Sequence, residues 1–313
     1  MRYEERYVRS SDGKTRLRVR FWLPEGKPAA VVQLSHGMME HIGRYQELGQ
    51  RLAGQGFAAA GHDHLGHGFS GLQNGMGFFA EKKGETFLVR DLRRVNRGLR
   101  KRYPGVPCVL LGHSMGSFLA RRYAGIYGRE LTGLILMGTG GQSLVAAAAG
   151  KLVCEGVSLA RGPRAYSAFL EKAAMAYFCC PFRPVRTRCD WLSSVPEEVD
   201  RFLEDPLCGR PFTASGYTEI FNMIISLAGL GPGEHLPKDL PVLFLSGQQD
   251  PVGGMGRGVQ RVAGRYRKSG LEQVSVKLYP EARHELLHER CREEVLGDLV
   301  SWIQEKTAKQ ASG

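Results

Sequence analysis

The chain has 313 residues, a formal net charge of +12, and 42% hydrophobic and 24% charged residues. These proportions are typical of a soluble globular protein, and no apolar run approaches the about 20 residues that cross a bilayer, which excludes a membrane-spanning chain. Because the length exceeds the usual limit of about 250–300 residues for one core, we expect one large domain with an inserted segment.

Cysteine content and charge bear on location and partners. Seven cysteines, an odd number, form no C-x-x-C pair, so we expect reduced structural thiols. The charged N-terminus lacks a following apolar segment, so we expect no signal peptide and a cytoplasmic location. Basic residues are densest at 90–102, where an apolar stripe predicts an amphipathic helix with a solvated basic face. A transient contact with anionic membrane is the alternative interpretation, and no nucleic-acid partner is expected.

Apolar patterning predicts an alternation of strands and helices. Short apolar runs predict strands at 3–9, 17–22, 30–35, 57–61, 107–111, 133–137, 241–245 and 274–279. Helical spacing predicts helices near 44–54, 84–102, 115–127, 253–267 and 288–306. This order predicts an α/β fold with a mostly parallel sheet and helices on both faces, starting with two antiparallel strands.

The alternation stops between the sixth and seventh strands. We interpret residues 140–233 as an inserted helical cap that ends in a flexible, glycine-rich joint at 229–233. The core is then divided into a first part at 1–139 and a second part at 234–313.

The segment Gly112-His113-Ser114-Met115-Gly116 lies between a predicted strand and a predicted helix. G-x-S-x-G at such a switch is the nucleophile elbow, where a strained turn exposes the serine and side chains at the glycines would collide with neighbouring elements. The following helix N-terminus favours developing negative charge. The motif predicts a serine hydrolase with Ser114 as nucleophile.

A serine nucleophile needs a base, and the base needs an acid that orients it. Asp250 follows the strand at 241–245, and His284 follows the strand at 274–279, so both lie in loops at carboxyl ends of strands. The order serine, aspartate, histidine is that of an α/β-hydrolase.

The tetrahedral intermediate also needs backbone donors that form an oxyanion hole. The N–H of Met115, directly after the nucleophile, is the first candidate. The N–H of Met38, in the loop after the third strand, is the second.

At these residues the chain resembles α/β-hydrolases of the monoacylglycerol lipase and lysophospholipase subgroup, which is also called serine-aminopeptidase-like. The shared signatures are His36 to His41 with Arg44-Tyr45, Asp63 to Ser70, Gly112 to Gly116, Asp205 to Leu207, Gly247 to Val252 and His284 to His288. The resemblance implies a serine esterase that needs no cofactor or metal and acts on lipid-like monoesters through an acyl-enzyme. It assigns Ser114, Asp250 and His284 as triad and Met38 and Met115 as oxyanion donors, with the cap shaping an acyl tunnel.

Other classes remain as alternatives. The segment His284-Glu285-Leu286-Leu287-His288 matches the H-E-x-x-H of zinc hydrolases. However, Pro280 lies four residues upstream and directly follows a predicted strand, so the segment resembles a loop that enters a helix. His62 to His67 resembles a metallo-β-lactamase-type motif, but Gly66 stands where the aspartate belongs. An aminopeptidase on the same fold and a non-catalytic lipid-binding member complete the set.

Overall fold

The computed structural model describes residues 1–141, 143–229 and 236–308. In these residues, eight strands form one sheet in the order β1-β2-β4-β3-β5-β6-β7-β8. The strands are β1 (Arg2–Arg9), β2 (Arg16–Leu23), β3 (Ala30–Ser35), β4 (Phe57–His62), β5 (Cys108–His113), β6 (Gly133–Met137), β7 (Val242–Gly247) and β8 (Val274–Tyr279). The predicted bounds agree with these within two residues.

The sheet is mostly parallel, as predicted. β2 pairs antiparallel with both β1 and β4, whereas the pairs from β4 through β8 are all parallel. Every residue of β3, β4, β5 and β6 is buried. Strands covered on both faces have the continuous apolar sequences that these segments show.

Ten helices are described. They are α1 (Gln46–Gly54), α2 (Gly68–Asn74), α3 (Gly84–Arg102), α4 (Met115–Tyr127), α5 (Leu144–Arg161), α6 (Ala168–Cys179), α7 (Pro196–Glu204), α8 (Ala214–Gly229), α9 (Arg257–Lys268) and α10 (Arg292–Ala308). The predicted bounds of α3 and α4 are confirmed, and the exposed face of α3 carries Arg90, Arg97 and Arg100. None of the helices in the described part of the chain is both long and apolar enough to cross a bilayer.

Two predicted helix starts were wrong. α9 begins at Arg257 and not near 253, because Gly254 and Gly256 have φ of 58° and 76° and form a turn. α10 begins at Arg292 and not near 288, because Glu289 accepts hydrogen bonds from Ser194 and caps a loop instead.

Helices cover both faces of the sheet because successive strand residues point to opposite sides. Leu110 of β5 belongs to the same buried apolar cluster as Leu92 of α3 and Leu119 of α4. Leu111, the next residue of β5, belongs to the apolar cluster on the other face, together with Leu52 of α1 and Leu299 of α10. The carboxyl ends of the strands, which carry the predicted site residues, are left to loops and to the insertion.

Helices α5 to α8, here called the cap helices, lie between β6 and β7, where the insertion is predicted. The cap contacts the core at several points, among them the Gly209 N–H, which donates to Met39 O at 2.8 Å, and the Thr213 N–H, which donates to Gly77 O at 3.1 Å. The boundaries 140–233 stay a prediction, and residues 230–233 of the predicted joint lie outside the described residues.

Candidate active site

The turn at Ser114 has the strained geometry that the motif predicts. Ser114 has φ 53° and ψ −122°, a conformation that is uncommon for a residue with a side chain. A Cβ on Gly112 would lie 2.3 Å from Gly116 O, and a Cβ on Gly116 would lie 2.0 Å from Ser35 O. Both glycines are therefore required by close approach of the backbone between β5, α4 and β3.

The loops after β7 and β8 bring Asp250 and His284 together. His284 Nδ1 lies 3.0 Å from Asp250 Oδ1, and both residues are buried, with 1% and 0% of their surface exposed. Because a carboxylate only accepts hydrogen bonds, Nδ1 carries the proton and Nε2 has a free lone pair. Asp250 Oδ1 also accepts the Val252 N–H at 2.8 Å. This geometry fixes the tautomer that a general base requires.

Ser114 and His284 lie on adjacent loops. The His284 ring is 4.9 Å from the ring of His113, the residue before Ser114, and 4.9 Å from the ring of Trp191. Between them lies Gly138, with φ 58°, where a Cβ would be 3.0 Å from His284 Cε1. Among the described hydrogen bonds none joins Ser114 to His284, and such contacts often tighten only when substrate binds.

Two N–H groups beside Ser114 are available to a ligand. Within the described residues, neither the Met38 N–H nor the Met115 N–H donates to a protein acceptor. The loop that carries Met38 packs against the elbow, since a Cβ on Gly116 would lie 2.5 Å from His36 O. Free donors next to a nucleophile are what an oxyanion hole needs.

A buried carboxylate, which the sequence reasoning did not assign, links these loops. Glu40 Oε1 accepts the Gly37 N–H at 2.5 Å and the Tyr45 hydroxyl at 2.9 Å. The same oxygen lies 3.2 Å from His113 Nδ1. Burial alone would lower the pKa of His113, but the hydrogen bond and charge of Glu40 outweigh burial and raise the pKa. Glu40 therefore connects the loop that carries Met38 with the elbow.

A second buried contact ties this network to the histidine loop. Arg44 donates to both carboxylate oxygens of Glu285, at 2.6 and 2.8 Å, and to Glu40 Oε2 at 3.2 Å. Burial raises the pKa of Glu285, but the charge and hydrogen bonds of Arg44 outweigh burial and leave the pKa below its usual value. The spacing of Glu40 and Arg44 was visible in the sequence; the distant partner Glu285 was not.

The H-E-x-x-H segment does not form a zinc-binding helix. Leu286–His288 is a single 3₁₀ turn, so the two histidines are not placed one α-helical turn apart. His284 is bonded to Asp250, and Glu285 is bonded to Arg44.

The histidines of the second motif are neutral and buried. His62, His64 and His67 have at most 1% of their surface exposed, and burial lowers the pKa of His62 and of His67 to about 4. Asp63 accepts the N–H groups of Ile42 and Phe69, at the starts of a 3₁₀ turn and of α2, at 2.9 and 3.0 Å, as expected for a residue that shapes a turn. The arrangement supports a structural loop at this position.

Among the described residues, one group of three potential metal ligands is close together. Ligand atoms of His41, Asp205 and Cys208 lie within 4.8 Å of one another. His41 Nδ1 accepts the Gly43 N–H at 3.1 Å, so Nε2 carries the proton that is shared with Asp205 at 2.9 Å. Burial raises the pKa of the Cys208 thiol, which disfavours a thiolate ligand. The group is a hydrogen-bonded contact between the core and the cap.

A cavity of about 440 Å³ reaches Ser114 from the cap side. Its floor is formed by Met38, Ser114, Met115 and Phe118. The cap contributes small apolar and aromatic residues: Ala146, Ala147, Gly150, Val153, Cys154, Phe169, Leu170, Ala173, Ala174, Tyr177, Phe178, Tyr217, Ile220, Phe221 and Ile224. None of the described residues in its wall is charged, so the cavity suits an apolar chain.

Comparisons with known proteins agree with the fold and identify the family. The family described as "Serine aminopeptidase, S33" matches residues 26–291. A monoacylglycerol lipase from Mycolicibacterium smegmatis is 30% identical over 93% of this chain and 94% of that protein. A human monoglyceride lipase is 29% identical over 92% of this chain and 87% of that protein. A thermostable carboxyl esterase from Bacillus coagulans has a TM-score of 0.89 at 29% identity, covering 98% of this chain and 99% of that one.

Three observations point to the same family of enzymes: the α/β-hydrolase fold, the strained backbone at Ser114 and the extent of the family match. The chain is therefore a serine hydrolase with the α/β-hydrolase fold and belongs to the serine aminopeptidase S33 family.

Proposed function

We propose that this chain is a carboxylic-ester hydrolase that acts on lipid-like monoesters of the monoacylglycerol or lysophospholipid type. The observation that carries the proposal is the uncharged cavity of about 440 Å³ that ends at Ser114. Such a cavity holds one acyl chain by apolar contact and places its ester carbonyl beside the serine. The names of the similar lipases and of the esterase support the same substrate class.

In the proposed reaction, Ser114 Oγ attacks the ester carbonyl while His284 Nε2 takes its proton. Asp250 keeps the His284 ring oriented and stabilises the imidazolium. The N–H groups of Met38 and Met115 donate to the oxyanion of the tetrahedral intermediate. His284 then protonates the leaving alcohol, which leaves an acyl-enzyme at Ser114. A water molecule gives a proton to His284 and attacks the acyl-enzyme, and the proton returns to Ser114 as the acid is released. No cofactor or metal takes part.

The cap also suits contact with an anionic membrane surface, where lipid monoesters reside. Five apolar side chains of the cap helices have 64–91% of their surface exposed. They are Val145, Leu152 and Leu159 of α5 and Phe169 and Tyr177 of α6. Exposed apolar side chains at the mouth of a lipid cavity favour insertion among acyl chains. Basic residues in the same segment, such as Lys151, Arg161 and Arg164, add attraction to anionic lipid.

The remaining assignments are part of the same proposal. The cap spans residues 140–233, between core parts at 1–139 and 234–313. The protein works in the cytoplasm, and its seven free cysteines fit that reducing compartment.

The first test is the mass of the intact protein after treatment with a fluorophosphonate, followed by peptide mapping. A single adduct on Ser114 is expected, and the S114A variant should show neither adduct nor turnover. D250N should fold normally and lose at least about 100-fold in kcat, since the histidine loses its charged partner. An S114A protein that retains esterase activity would refute the assignment.

A second assay separates esterase from aminopeptidase activity. An aminopeptidase needs an acidic group to hold the substrate ammonium, and none of the described cavity residues is acidic. We expect hydrolysis of monooleoylglycerol and little or no release from alanine para-nitroanilide. The opposite preference would contradict the proposed substrate class.

A further inference from the structure

Gly150 stands in a helix where alanine would be more favourable. It lies within α5 and follows four consecutive alanines, residues 146–149. Glycine inside a helix is less stable than alanine, because it loses more backbone freedom on folding. A Cβ on Gly156, in the same helix, would meet no neighbouring atom within 4 Å, whereas a Cβ on Gly150 would collide with one. A side chain at position 150 is therefore excluded by a particular neighbour.

That neighbour is the ring of Phe221 on α8. A Cβ on Gly150 would lie 2.4, 2.7 and 2.9 Å from Cζ, Cε1 and Cε2 of Phe221. These atoms form the outer edge of the ring, so the ring of Phe221 rests edge-on against the backbone of α5. Carbon atoms that are not bonded to each other pack at about 3.5–4.0 Å. The ring can therefore hold this position only because residue 150 has no side chain.

Both residues of this contact also border the acyl cavity, whose floor contains Ser114. The helix α5 begins after its cap at Ser143, shortly after Gly138, where a Cβ would lie 3.0 Å from His284 Cε1. Gly150 follows Ser143 by seven positions, which corresponds to about 10 Å at the helical rise per residue. We therefore expect the contact between α5 and α8 to border the part of the cavity that holds the distal part of an acyl chain.

We propose that the contact between Gly150 and Phe221 determines how long an acyl chain the cavity accepts, so that the substrates include long-chain acyl esters. This inference rests on the proposed ester hydrolysis at Ser114. Because Gly150 lets the ring lie against α5, the cavity stays open beside the ring. A side chain at position 150 displaces the ring into this open space, since the surrounding interior is close-packed. The displaced ring then occupies the place of distal methylene groups of the substrate.

The test compares two esters that have the same leaving group and different chain lengths, para-nitrophenyl dodecanoate and para-nitrophenyl butanoate. The quantity measured is the ratio of kcat/KM for the dodecanoate ester to kcat/KM for the butanoate ester. In G150A this ratio should fall roughly 10-fold, because the loss of two methylene groups from an apolar site weakens binding by that factor. G156A adds the same methyl group to the same helix without a neighbour and should keep the ratio within about 2-fold of the wild-type value.

A double-mutant cycle shows whether the effect of G150A depends on the ring. In the F221A background the ring is absent, so the addition of G150A should no longer change the ratio. A fall in the ratio that persists without the ring would overturn the inference, and so would equal ratios in G150A and the wild-type protein. If circular dichroism shows that G150A is poorly folded, F221W decides instead. Its larger ring should also lower the ratio, and an unchanged ratio would overturn the inference. If the wild-type protein hydrolyses neither ester, the proposed function itself fails.

Discussion

Arg44 offers the sharpest test of the buried network beside the proposed triad. Its side chain is 9% exposed and lies between Glu285, at 5%, and Glu40, at 3%. In an R44M variant, a side chain of similar length fills the space but leaves Glu285 without its bidentate partner. Glu40 still accepts hydrogen bonds from Gly37 and Tyr45, so most of the penalty falls on Glu285.

The expected loss follows from that burial. Removing one partner of a buried ion pair costs about 3–5 kcal/mol, because the remaining charge stays out of water. For a chain of this size, each kcal/mol corresponds to about 2 °C, so the Tm should fall by about 6–10 °C at pH 7. An exposed pair serves as control: Arg51 and Glu293 are 43% and 63% exposed, and R51M should change the free energy of unfolding by less than about 1 kcal/mol.

The loss should also depend on pH with a definite sign. In the wild-type protein the pKa of Glu285 is lowered from 4.5, so its stabilising contribution is present above pH 4.5 and is lost as the pH falls through the folded pKa. In R44M, burial without the arginine raises the pKa of Glu285, so this carboxyl destabilises the fold as the pH rises above 4.5. The two proteins should therefore differ most at neutral pH and approach each other as the pH falls below 4.5.

Thermal unfolding monitored by circular dichroism between pH 4 and 8 checks both statements, and E285Q combined with R44M completes a double-mutant cycle. A loss that is the same at every pH would refute the electrostatic explanation. So would a loss in R44M no larger than that in R51M.

Three further predictions test local features. G116A should abolish folding or activity, because its Cβ would lie 2.0 Å from Ser35 O. G297A in α10 is the matched control, because its Cβ would have no atom within 4 Å, and it should raise the free energy of unfolding by about 1 kcal/mol in urea titrations. Burial lowers the pKa of His62 from 6.5 to about 4 in the folded protein, so its contribution to the free energy of unfolding should fall by about 3 kcal/mol as the pH drops from 6.5 to 4. H62F should make the free energy of unfolding less dependent on pH over this range. Equal pH dependence in the two proteins would contradict the assignment. E40Q should lower kcat more than it raises KM, because Glu40 positions Gly37 and His113 rather than substrate.

The positions of the three triad candidates could be read from the sequence because each follows a strand. Ser114, Asp250 and His284 lie one, three and five residues after the ends of β5, β7 and β8, and the carboxyl ends of parallel strands share one edge of the sheet. The bounds of α3 and α4 could be predicted for a similar reason, since their apolar residues recur at helical spacing against a covered face.

What the sequence could not reveal depends on contacts between distant segments. Arg44 and Glu285 are 241 positions apart, and nothing in either segment indicates that they meet. Arg121 looks like any basic helix residue in the sequence, yet only 7% of its surface is exposed and its Nη1 donates to Gly140 O at 2.9 Å. α2 has seven residues, which is too short for a periodic pattern to establish itself.

The cap enters and leaves the sheet through two strands that are hydrogen-bonded neighbours. β6 and β7 pair in parallel from Leu134 with Val242 to Met137 with Leu245, so the two ends of the inserted segment are held side by side. Replacing this insertion by one of different length would leave the strands that precede Ser114 and Asp250 in place. Evolution, or a protein engineer, can therefore change which acyl chain is bound without changing the residues proposed to carry out the reaction.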